Sequence, residues 1–120
     1  MKTGMNKAGG FTLQRLTEHA SHLQTIQKSL LRPGDIIVVK TSNSKYTIHA
    51  LRDGCFAVSG GWFDRKGVAP MQTTIAGCTW GGSAIKVDVI AAIGLSIEFG
   101  NRVITSAVQR IIFVPVHIMN

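Results

Sequence analysis

A chain of 120 residues is the size of one domain, and 45% hydrophobic with 16% charged residues excludes a disordered polar chain and supplies enough apolar side chains for a core. Thirteen Lys and Arg against six Asp and Glu give a formal charge of +7, which favours anionic partners such as nucleic acid, but the basic residues run from Lys2 to Arg110 without forming a basic tail. Two cysteines, Cys55 and Cys78, in a chain with no apolar leader behind Lys2 and Lys7 argue against a disulfide framework and for a cytoplasmic protein, and no apolar run reaches the length of a bilayer span.

Residues 1–11, rich in Lys and Gly, read as a flexible N-terminal arm, and residues 12–120 as a single helix-plus-β-barrel domain. From Thr12 the apolar residues Leu13, Leu16, Ala20, Leu23 and Leu30 recur at three- and four-residue spacing, with Ile26 and Leu31 beside them. That period predicts an amphipathic helix, capped by Thr12 and stopped by Pro33-Gly34. The same positions fit a short heptad seam, so the helix is expected either to lid the β domain or to pair with a copy of itself.

After Gly34 the pattern changes to β. Ile36-Ile37-Val38-Val39 is a β-branched run that suits a buried strand. Lys45 to Arg52 alternates, with Tyr46, Ile48 and Ala50 on one face. Asp53-Gly54 predicts a tight hairpin turn, with positive φ at both central positions, into a strand from Cys55 to Ser59. Thr73 to Gly77 and Ser83 to Val89 read as further strands, and Leu95, Ile97 and Phe99 alternate into a second hairpin at Gly100-Asn101. Ile111 to Val114 forms a last apolar strand before Pro115. Six or seven short consecutive strands with no helix between them predict a mainly β fold, a small antiparallel β-barrel or sandwich preceded by one N-terminal amphipathic α-helix. That layout is similar to small SH3-like or Sm-like barrels over residues 12–115. The likeness is one of layout and assigns no residue a role.

Two segments depart from the strand pattern in the same way. Gly60-Gly61-Trp62-Phe63-Asp64-Arg65-Lys66-Gly67 and Gly77-Cys78-Thr79-Trp80-Gly81-Gly82-Ser83 each place a tryptophan beside paired glycines. Glycine pairs open backbone shapes closed to other residues, and indole offers a broad flat face with one donor. The expected ligand surface is therefore Trp62, Phe63 and Trp80 with Gly81 and Gly82, and Arg65 and Lys66 as anion contacts, an arrangement suited to unpaired bases and their phosphates. The structural alternative is that the glycines are bulges or corners and the rings plug the core.

Other chemistry has weaker support. Cys78 beside a glycine-rich turn invites a thiol-enzyme reading, with His49 or His117 as base, but no recognisable signature places either histidine. His19 and His22 share the spacing of a helical metal pair, yet two ligands do not make a site. The carboxylates are scattered singly, and Gly81-Gly82-Ser83 lacks the lysine of a phosphate loop. The low charge content predicts a partly covered surface and hence a homo-oligomer, and the sequence thus favours a non-enzymatic binding module without metal or cofactor, with a structural homo-oligomer lacking any small ligand and a thiol enzyme as alternatives.

Overall fold

The computed structural model describes residues 21–80 and 84–116. Among them the chain forms eleven strands and one short helix: β1 (Ser21–Leu23), β2 (Thr25–Gln27), β3 (Ile36–Thr41), β4 (Lys45–Ala50), β5 (Phe56–Gly60), α1 (Gly61–Arg65), β6 (Met71–Thr73), β7 (Ile75–Thr79), β8 (Ile85–Lys86), β9 (Val89–Ala92), β10 (Ser96–Phe99) and β11 (Val108–Val114). A single 3-10 turn, Lys28–Leu30, follows β2. The strands make an antiparallel six-stranded sheet in the order β1-β11-β3-β4-β5-β6, a three-stranded sheet β10-β7-β8, and the pair β2-β9.

The fold is mainly β, as the alternation predicts, but it is not a closed barrel. The large sheet ends on β1 and β6, which are not paired with each other, and after β6 the chain leaves that sheet for another. The helix expected from Thr12 to Arg32 is corrected over residues 21–32, which form β1, β2 and the 3-10 turn. Its earlier part, like the arm at residues 1–11, lies outside the described residues. Leu23 and Ile26 serve two different sheets, Leu23 opposite Ile111 of β11 and Ile26 opposite Ala91 of β9. The helical spacing of these apolar residues is therefore produced by two strands separated at Gln24.

The centre of the large sheet follows from register. Ile37 of β3 lies opposite Ile48 of β4, which lies opposite Val58 of β5, and all three are fully buried. A second row runs Ile111, Val39, Tyr46, Gly60. On β4 the exposed Lys45, Thr47 and His49 alternate with these buried positions, the pattern of a strand wet on one side. The buried side packs against residues of the smaller sheets, including Ile75, Cys78, Ile90, Ile97 and Phe99, to give one core.

The Asp53-Gly54 hairpin forms as expected. Asp53 and Gly54 have φ of 60° and 73°, and Cys55 N–H donates to Arg52 C=O at 3.2 Å. The second expected turn also forms: Arg102 N–H donates to Phe99 C=O at 2.9 Å, with Arg102 itself left-handed at φ 73°. The strand expected over Ser83–Val89 is instead two, β8 and β9, joined by a turn at Val87-Asp88, with Ser83 outside the described residues.

Candidate functional site

The first tryptophan segment is built by two glycines that only glycine can supply. Gly60 and Gly61 have φ of 97° and 44°, and a Cβ on Gly60 would strike the Lys45 carbonyl while one on Gly61 would enter the Tyr46 ring. The chain therefore turns sharply out of β5 into α1, and Asp64 closes the turn by accepting from Gly60 N–H at 2.8 Å. This turn swings Phe63 inward. Its ring is fully buried and packs edge-on against Phe99 at 5.1 Å, Trp62 at 5.2 Å and Tyr46 at 6.2 Å between centroids.

Phe63 thus joins α1 to β10 across the core and presents no face to solvent. Trp62 is half-buried against the same cluster. Arg65 and Lys66 are exposed on the outer side of α1, where Arg65 Nη1 donates to Ser44 Oγ at 3.4 Å.

The second segment has the opposite character. Trp80 follows the far end of β7 and is 51% exposed, with Lys86 Nζ 5.6 Å from its ring centroid. Register explains the pairing: Cys78 lies opposite Lys86 and Thr79 opposite Ile85, so Lys86 reaches diagonally across to the indole. Ile85 and Val87, on either side of Lys86 in sequence, are also exposed, at 43% and 61%. Gly81 and Gly82 lie outside the described residues.

The two tryptophans are placed by different ends of β7. Phe99, the ring behind Phe63 and Trp62, pairs with Ile75 at its start, whereas Trp80 follows Thr79, opposite Ser96, at its end. Four residues of strand, about 13 Å, separate the two levels.

Between them, Gly77 has φ 151° and its missing side chain makes room for the Lys86 carbonyl, which holds β8 close to β7. Cys78 is fully buried beside it, and burial raises its thiol pKa to about 11, only partly opposed by the Ala92 backbone hydrogen bond and the charge of Lys28. Such a thiol is protonated and shielded at neutral pH. Exposed His49 of β4 lines a depression with Cys55 and not with Cys78. His19 and His117 lie outside the described residues, and among those described no group of three or more His, Cys, Asp and Glu side chains is placed to hold a metal.

A third feature carries no signal in the local sequence. The Asp53-Gly54 hairpin and the Pro33-Gly34 turn are apposed, because Gly34 N–H donates to Ala50 C=O and Ala50 N–H to Asp35 C=O, both at 2.8 Å. Buried Asp35 fixes the turn, accepting from Arg32 N–H at 2.8 Å and from Val116 N–H at 2.7 Å. Two adjoining depressions flank the apposed turns. One of about 560 Å³ includes His49, Arg52, Asp53, Cys55 and Gln72, and one of about 440 Å³ includes Lys28, Leu31, Arg32, Phe56, Thr74 and Ile75. Each turn was visible in the sequence, but their meeting depends on the β3–β4 ladder.

Among the described residues no helix is long and apolar enough to cross a membrane. Comparison with known proteins finds no matching family profile, no matching curated protein and no matching solved structure.

Proposed function

We propose that the chain is a non-enzymatic β-sheet binding module for an anionic, base-bearing partner of the single-stranded nucleic-acid type, engaged at the Trp80 edge. The observation that carries this reading is the half-exposed indole of Trp80 with the Lys86 ammonium 5.6 Å from its centroid. A large aromatic left in water beside a cation supplies both parts such a strand needs, a stacking face and a phosphate contact. The formal charge of +7 strengthens encounter with a polyanion at long range. Exposed Arg65 and Lys66 add to the positive field, while Phe63 belongs to the core.

Anisotropy titration of labelled single-stranded RNA and DNA at about 50 and 200 mM salt tests the proposal. Salt-sensitive binding that Trp80→Ala weakens by about 5- to 150-fold is expected, the range for one lost stacking contact. Absence of salt-sensitive binding removes nucleic acid as the partner.

A second reading is favoured by Ile85 and Val87, whose exposure at β8 leaves more apolar surface in water than a nucleic acid requires. In that reading the edge joins copies of this chain. Sedimentation separates the two: a monomer at micromolar concentration opposes self-association, and an oligomer dispersed by Val87→Glu supports it.

A further inference from the structure

We infer that the cleft between the Lys28–Leu30 turn and the Asp53-Gly54 hairpin binds a small phosphate monoester with an apolar body, the body lying on the cleft floor and the phosphate held by Lys28 and Arg32. This site is separate from the Trp80 edge and does not depend on it. The floor and walls are apolar, with Leu31, Phe56 and Ile75 among them, and the volume of about 440 Å³ lies within the range of roughly 300–1,000 Å³ typical of small-molecule sites.

The polar groups are one-sided in charge. Lys28 and Arg32 line this cleft and Arg52 lines the adjoining depression, against the single carboxylate of Asp53. Among the described residues none of these three cations has an ion-pair partner. The nearby buried carboxylate, Asp35, is occupied by the backbone N–H groups of Arg32 and Val116. Lys28 is half-buried, with its main chain held by Asp88 C=O at 2.9 Å and by Leu31 N–H at 3.1 Å, so its side chain starts from a fixed point.

Two cations suit a dianion better than a carboxylate, and the apolar floor favours a body over bare phosphate. Amide chemical-shift titration of the full chain with phenyl phosphate, benzoate, inorganic phosphate and benzyl alcohol tests the assignment. Phenyl phosphate is expected to give saturable shifts centred on residues 28–34, 51–56 and 74–75, with the other three binding at least about tenfold more weakly. Lys28→Gln and Arg32→Gln should each weaken phenyl phosphate about tenfold. Arg52→Gln, at an exposed side chain of the adjoining depression, gives a third variant with a smaller loss. No saturable shift up to 10 mM ligand, equal binding of benzyl alcohol, or binding indifferent to all three substitutions overturns the inference. Shifts confined to Trp80 and Lys86 overturn it too, while leaving the Trp80 reading intact.

Discussion

Phe63→Ala separates a ring that binds a ligand from a ring that closes the core. Phe63 has no exposed surface and touches three aromatic rings, with edge-on geometry near 90° to Phe99 and 85° to both Trp62 and Tyr46. Truncating a buried Phe removes its transfer free energy and leaves a cavity, together about 3–5 kcal/mol, and edge-to-face partners place the value in the middle of that range or above. A loss of about 4 kcal/mol is a large part of the roughly 5–15 kcal/mol that holds a domain folded. For 120 residues it lowers Tm by about 16 °C, at about 4 °C per kcal/mol. Equilibrium urea unfolding at 25 °C reads it directly. The half-buried Trp62→Ala should cost less, about 1–2 kcal/mol, because part of its surface is already in water. A Phe63→Ala loss below about 1.5 kcal/mol at unchanged m-value, or a Trp62→Ala loss exceeding it, refutes the assignment of Phe63 as the ring that joins α1 to β10.

The glycine turns give a paired prediction: Gly61→Ala, whose Cβ would enter the Tyr46 ring, should cost at least about 2–3 kcal/mol, whereas Gly54→Ala, which meets nothing within 4 Å, should cost only about 1 kcal/mol for its left-handed φ; thermal unfolding compares them. Asp35→Ala should cost about 3 kcal/mol by stranding the N–H groups of Arg32 and Val116, and hydrogen exchange at those two amides should accelerate. Timed alkylation at pH 8 should label half-buried Cys55 well before fully buried Cys78. Because the folded state raises the Cys78 thiol from 9.0 to about 11, its contribution to stability is complete below pH 9 and declines as pH rises from 9 through 11, which denaturation at pH 8 and pH 11 would show.

Local rules were legible where a residue's partner lies close in sequence or its face is fixed by alternation. Tyr46, Ile48 and Ala50 on β4, and Ile97 and Phe99 on β10, are buried as their spacing requires. The Asp53-Gly54 turn follows from the conformational needs of two residues. The segment at Leu23 and Ile26 has helical spacing but forms strands fixed by β11 and β9, more than sixty residues away, and no local pattern reports such partners. The Gly-Trp segments show the same limit. Their shared composition suggested one surface, but Gly60 and Gly61 turn Phe63 into the core, while Trp80 emerges at the opposite end of β7 and stays half in water. The cleft beside Asp53 was hidden because Lys28, Arg32 and Arg52 are scattered in sequence and meet only through the hydrogen bonds of Gly34 and Ala50.

The chain has two tryptophans, so Trp62→Phe leaves Trp80 as its one indole reporter. Titrating that variant with single-stranded RNA while following indole emission and RNA anisotropy together tests the central claim. Both signals are expected to move with one isotherm, which raising salt from about 50 to 200 mM weakens and Lys86→Gln weakens further. RNA binding that leaves Trp80 emission unchanged, or no binding at low salt, contradicts that claim.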